Sequence, residues 1–203
     1  MKPRLRMGLR LGFFLYAGFL LAAPGGDIEF GKRLSETGLT YSTPSGFVDD
    51  GPNIALEKEL NETFDSSSPF VVHRIRSTDG MITAYVDIRV LGMDMKNPAL
   101  AAAYPLVFES NAREYCALVS SSPCSVSTKL PASVVRADYR ADLGMVLKAN
   151  HPDQGRIGGH KKASVIAISK PSSGIIYATI AYDSDSEFER GYQAVRHMLK
   201  FKS

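Results

Sequence analysis

Residues 163–202 read A-S-V-I-A-I-S, K-P-S-S-G, I-I-Y-A-T-I-A-Y, D-S-D-S-E-F-E-R-G-Y-Q-A-V-R-H-M-L-K-F-K. Two β-branched runs separated by a short Pro/Ser/Gly break predict an antiparallel hairpin. The polar break at 183–186 then opens a helix, and the Ser186/Glu189 pair has capping-box spacing, in which each side chain accepts from a backbone donor at the helix start. Phe188, Tyr192, Val195 and Leu199 recur at helical intervals and predict one apolar stripe, with Arg190, Gln193, Arg196 and Lys200 turned away from it. A sheet with a helix laid across it is the expected core.

Working back from that unit, residues 70–76 and 81–91 form a second hairpin around the Thr78-Asp79-Gly80 turn. In the second strand Ile82, Ala84, Val86, Ile88 and Val90 alternate with Thr83, Tyr85, Asp87 and Arg89, which predicts one buried face and one solvated face. Asn97-Pro98 is a cap followed by a first-turn proline. Pro105 then predicts a kink, or two helices over 98–104 and 106–119. Strands are expected over 125–130, 133–140 and 143–149, an edge strand over 41–48, and a short helix over 53–64, where Leu56, Leu60 and Phe64 step by four. Residues 150–162 read as a polar, glycine-bearing loop. The fold class is α+β: a mainly antiparallel sheet covered by a kinked central helix and an amphipathic C-terminal helix.

The N-terminus predicts the compartment. Lys2, Arg4, Arg6 and Arg10 precede an apolar run over 11–23, followed by Ala23-Pro24-Gly25. This is the pattern of a secretory signal, and the run is too short for the roughly 20 residues of a membrane span. The expected organisation is a signal peptide at 1–25, a lead-in segment at 26–40 and a single α+β domain at 41–203. Export would place the protein in the periplasm or outside the cell. The whole chain has 24 Lys and Arg against 21 Asp and Glu; without the four basic residues of the leader the balance is 20 against 21, a net of −1. The basic excess that a nucleic-acid partner calls for is therefore not a property of the exported domain.

Cys116 and Cys124 are the only cysteines. In an oxidising compartment, a separation of eight predicts a local disulfide between a helix end and the next strand. It does not fit the C-x-x-C spacing of a redox site.

Motifs that would carry chemistry are incomplete. Residues 155–162, G-R-I-G-G-H-K-K, imitate a phosphate loop, yet His160 stands where glycine is needed and Lys162 where a hydroxyl is needed. His151, Asp153 and His160 are suitable zinc ligand types without a zinc spacing. Asp183, Asp185 and Glu187 begin like a calcium loop, but Phe188 occupies its glycine position and Ala194 its terminal glutamate position. No G-x-S-x-G elbow occurs, and His73 and His197 fall on a strand and a helix. The remaining ligand candidates are His151, His160 and Lys161, on a loop able to meet a small anion. No cofactor is implied.

The order Y-S-T-P-S-G-F at 41–47, the D-G hairpin, a helical middle, several strands, and I-I-Y-A-T-I-A-Y before F-E-R-G-Y-Q-A-V-R-H-M-L-K-F resembles the PsbP-like α/β sandwich group. That group contains the extrinsic photosystem subunit PsbP, the small Ran-binding Mog proteins and exported bacterial DcrB-like proteins. The resemblance covers about residues 40–202, and the long helical middle with its two cysteines departs from it. It implies a non-enzymatic accessory or protein-binding module of the cell envelope. A small-ligand binder or enzyme using residues 151–162, and a secreted structural protein, are the alternative expectations.

Overall fold

The computed structural model describes residues 24–63, 69–91, 95–120 and 122–202. The signal segment expected at 1–25 lies outside the described residues as far as Ala23. The chain runs α1 (Pro24–Thr37), β1 (Leu39–Tyr41), β2 (Phe47–Pro52), α2 (Ile54–Thr63), β3 (Val72–Ser77), β4 (Thr83–Val90), α3 (Pro98–Ala117), β5 (Ser125–Lys129), α4 (Ala132–Tyr139), β6 (Leu143–Lys148), β7 (Lys162–Lys170), β8 (Gly174–Tyr182), α5 (Asp185–Met198) and β9 (Leu199–Phe201). Seven strands form one sheet in the order β2-β3-β4-β8-β7-β6-β5, and every neighbouring pair is antiparallel. The fold is α+β, as the sequence predicts. Both expected hairpins form, β3–β4 and β7–β8, and β4 joins them by pairing with β8 from Thr83↔Ala181 to Val90↔Gly174.

The central strands β4, β8 and β7 are buried on both faces. On one, α2 and α3 cover a core of Val72, Tyr85, Leu147, Val165 and Tyr177, with Tyr104, Phe108 and Tyr115 coming from α3. On the other, α1, α4, α5 and the β1–β9 ribbon cover Ile75, Val86, Ile88, Ile166, Ile176 and Ile180. The solvated face expected on residues 81–91 is therefore corrected: Tyr85 and Asp87 are buried. Alternation identifies the two faces of a strand, but a helix from elsewhere in the chain decides whether the polar face meets water.

Four further expectations change. Residues 26–40 are not a lead-in arm: most of them belong to α1, whose Phe30 and Arg33 are buried, and Leu39 enters β1. Residues 133–140 form a helix, α4, because Val135 and Tyr139 lie one turn apart on its buried side and Arg140 closes it in the left-handed conformation. The β-branched Val134-Val135 pair suits a strand as well, and tertiary packing overrides that weak local preference. Pro105 does not divide α3, which is a single helix from Pro98 to Ala117. Pro105 stands on the exposed side of the helix, where the one backbone donor it removes does not break α3. Finally, the capping box uses Ser184 and Glu187: Ser184 Oγ accepts from Glu187 N, and Glu187 Oε2 accepts from Ser184 N at 3.1 Å and Asp183 N at 2.7 Å. The same S-x-x-E spacing occurs two residues apart, and β8 ending at Tyr182 selects the earlier copy.

The buried side of α5 is Gly191, Ala194, Val195 and Met198, with Phe188 and Tyr192 half-buried at its margin. Gly191 lets the helix approach the sheet, since a Cβ there would lie 2.7 Å from Ile180 Cγ2 and 3.2 Å from Ile82 Cγ2. Helix propensity alone would favour valine over glycine at this position. Gly191→Val is nevertheless expected to destabilise the domain by about 1–3 kcal/mol through overpacking. Thermal denaturation checks this, and an unchanged or raised midpoint would contradict the close approach of α5.

Candidate functional site

The loop over residues 150–161 is pinned to the core. Ile157 is fully buried beneath it. Asp153 N donates to Val119 O at 3.0 Å, and Arg156 donates to Leu118 O at 2.7 Å and to Glu59 at 2.8 Å. The three sequence candidates occupy different settings along it. His151 is exposed, and its carbonyl accepts from Ser120 Oγ beyond the end of α3. His160 is buried, with Nε2 3.4 Å from Thr83 Oγ1 and Nδ1 3.6 Å from Asp183 Oδ2. The Lys161 side chain is exposed, and its backbone N–H donates to Asp183 at 2.8 Å. That backbone donor is the main reason the Asp183 carboxyl is held below its usual range. Asp185 and Glu187 are likewise held low, the first by the Lys162 ammonium and the second by backbone N–H groups at the start of α5. These acids are occupied with the loop and the helix start. Among the described residues no group of three His, Cys, Asp or Glu is arranged to hold a metal ion.

Cys116 and Cys124 form the expected disulfide, joining the last turn of α3 to the residue before β5. A shallow hollow beside it is lined by Arg113, Glu114, Ala117, Ser120, Pro123 and Cys124. It contains none of His151, His160 and Lys161, and Arg113 at its edge already binds Glu109 and the Cys124 carbonyl.

Two polar clusters were not singled out in the sequence. Under α1, His73 stacks on Phe30 with ring centroids 4.1 Å apart, and its Nε2 lies 2.6 Å from Asp49 Oδ1. Asp49 Oδ2 accepts from the Tyr41 hydroxyl at 2.7 Å. Desolvation pushes the Asp49 carboxyl up, but the Tyr41 hydroxyl, the Gly51 N–H and His73 outweigh it and hold the carboxyl low. This histidine latches α1, β1 and β2 to β3 beneath a helix, and its ring is buried against Phe30. In the middle of the sheet, Asp87 is completely buried, bonded to Arg89 Nε at 2.6 Å and Val71 N at 3.3 Å. The stacked pair Tyr115–Tyr177 shares that region, and burial raises both phenols far above their usual range.

The most unusual surface is the outer side of α3. From Asn97 to Phe108 the helix carries no charge. Tyr104 and Phe108 face the core, while Leu106 is 75% exposed and Leu100 and Val107 are 42% and 43% exposed. Ala99, Ala102, Ala103 and Leu106 follow i, i+3, i+4, i+7 spacing and lie exposed on one ridge. The outward side of a surface helix ordinarily carries charge, and this ridge carries none. The sequence signal was the run P-A-L-A-A-A-Y-P-L-V, which is apolar around the whole helix. No helix among the described residues is long and apolar enough to cross a membrane.

A scan of the sequence against models of protein families finds no match, and a search of curated proteins finds no significantly similar one. The residues and their geometry are what a functional reading has to stand on.

Proposed function

We propose that this chain is an exported, non-catalytic α+β domain of the cell envelope that docks a partner protein through the outer face of α3. The observation that carries the reading is the uncharged ridge Ala99-Ala102-Ala103-Leu106, flanked by exposed Leu100 and Val107. The partner chemistry that fits is an apolar helix: small residues along a ridge allow a second helix to approach within about 8–10 Å, and Leu106 supplies the knob. Support also comes from His160, which is buried and enclosed by Thr83 and Asp183. The domain's near-neutral balance after removal of the leader disfavours a polyanionic partner. The likeness to the PsbP-like group points the same way, towards an accessory module.

The test places a photo-crosslinking residue at Leu106 in the exported protein, with Lys58 on α2 as the control position. Crosslinking from position 106 to an apolar segment of one envelope protein, absent from position 58, is the expected result. Because Leu106 is mostly exposed, Leu106→Glu should abolish the crosslink made from Val107 by at least about tenfold while leaving the melting temperature within the small range usual for surface changes. Equal crosslinking from both positions, or crosslinking only between copies of this chain, would overturn the reading.

A further inference from the structure

Arg74 and Arg76 leave β3 on the same face as Val72, and the register sets them beside Tyr85 and Thr83 of β4. Val72 is 1% exposed under α2. At this corner of the sheet the Arg74 and Arg76 side chains are 45% and 49% exposed. The 150–161 loop covers part of it. His160 Nε2 meets Thr83 Oγ1 there, and Gly158 passes so close over Tyr85 that an added Cβ would lie 3.1 Å from the phenol oxygen.

Asp50 stands between the two guanidiniums. Its Oδ2 lies 3.2 Å from Arg74 Nε, and its two oxygens each lie 3.2 Å from Arg76, at Nε and Nη2. One carboxylate against two guanidiniums leaves a net positive charge. It also leaves both terminal nitrogens of Arg74 and the Nη1 of Arg76 without a partner among the described residues. The Tyr85 hydroxyl is in the same position, and burial raises its pKa, so it remains protonated and able to donate. Asp50 therefore fixes the orientation of the two guanidiniums while leaving the terminal nitrogens of Arg74 and one of Arg76 able to bind, and on the Arg74 side they border the phenol of Tyr85, which is 5% exposed.

The geometry points to a binding site for a phosphate-type oxyanion at Arg74, Arg76 and Tyr85. Guanidinium N–H groups make charge-assisted bonds to such oxygens, and two guanidiniums sharing one carboxylate leave a cationic face that suits a doubly charged oxyanion, with the Tyr85 phenol beside Arg74 as a further donor. Two arginines do not make the extended basic stripe that a nucleic-acid backbone needs, so the ligand is a single phosphate group, free or esterified. This site lies apart from the ridge on α3 and does not depend on the docking reading.

Titration of the whole exported protein with inorganic phosphate at fixed ionic strength, followed by calorimetry, tests the assignment, with chloride as the control and phenyl phosphate as the esterified arm. Saturable binding of phosphate or phenyl phosphate is expected, weakened about tenfold in each of Arg74→Gln and Arg76→Gln and a few-fold in Tyr85→Phe. Binding by phenyl phosphate in preference to phosphate would identify an esterified headgroup, and the reverse would identify the free ion. Both arginine changes are at exposed side chains, so the fold is retained and circular dichroism should match that of the parent. Leu106→Glu should leave phosphate binding unchanged. No saturable heat with either probe, or identical binding by the Arg74→Gln/Arg76→Gln double variant, would overturn the assignment.

Discussion

Asp87→Ala is expected to destabilise the domain by about 3–5 kcal/mol, which is the cost of removing one partner from a buried ion pair. A loss of that size takes up a large part of the stability of an ordinary domain. Asp87 is completely buried in β4, between β3 and β8 in the sheet. Alanine would take the counter-charge away from Arg89, whose side chain is only 13% exposed and whose guanidinium lies 4.0 Å over the Phe70 ring. It would also take the acceptor from Val71 N, and it would open space beneath the Tyr115–Tyr177 stack. Arg33 adds a second cation to the region, donating to the carbonyls of Ile88 and Pro69. Desolvation pushes the Asp87 carboxyl above its ordinary value, against the pull of Arg89 and Arg33. The sign of the pH effect follows. Between the ordinary carboxylate pKa and the raised one, the folded state holds a proton that the unfolded state has lost, so the contribution of Asp87 declines as pH rises through that interval. Asp87→Asn keeps an acceptor for Val71 and removes the slope, and it should fall between alanine and the parent in stability. Urea denaturation decides the matter: a midpoint for Asp87→Ala within error of the parent would mean that the pair contributes nothing.

The same residue shows how far the sequence could be read. Asp87 appears there as one of the polar positions of an alternating strand, on a face expected to be wet. The alternation was right about which residues share a face, because a period of two is a property of the strand itself. It carried no information about α3, whose Tyr104, Phe108 and Tyr115 come from 17 to 28 residues further along the chain and cover that face. Local chemistry was readable wherever a few adjacent residues settle the backbone: the turn at Asp79-Gly80, the Asn97 cap with Pro98 after it, and the 170–174 turn. It failed where two local solutions compete. Ser184 and Ser186 both offer a capping box to the same helix, and Val134-Val135 suits a strand as well as the helix that packing gives it. The candidate sites follow the same rule. His151, His160 and Lys161 are near in sequence, but their anchors, Ser120, Thr83 and Asp183, lie on separate elements. The corner at Arg74, Arg76, Asp50 and Tyr85 is assembled from three strands. An R-x-R pair on a strand hints that two cations share a face, and only the register says what stands beside them.

Removing the disulfide through Cys116→Ala/Cys124→Ala is expected to cost about 2.5 kcal/mol from loop-closure entropy alone, for a closed loop of nine residues. Loss of packing adds to this, because Cys116 is fully buried and Cys124 nearly so. The effect should also be uneven. Cys124 immediately precedes β5, an edge strand that pairs only with β6, is interrupted by a bulge between Val126 and Thr128, and has a largely exposed set of side chains. Its start is otherwise tied down by Arg113 donating to the Cys124 carbonyl and Asn150 donating to the Pro123 carbonyl. Without the covalent link, β5 and the last turn of α3 should open locally at lower free energy than the sheet centre. Amide exchange should quicken at Val126–Lys129 and Tyr115–Leu118 while β7 and β8, buried along almost their whole length, keep the protection set by global unfolding. The double substitution separates this from a change in compartment, since a protein held in a reducing environment would contain two free thiols and gain nothing from the pair. Equal stability of the parent and the double variant, with both thiols recovered free from the parent, would show that the clamp contributes nothing to the fold.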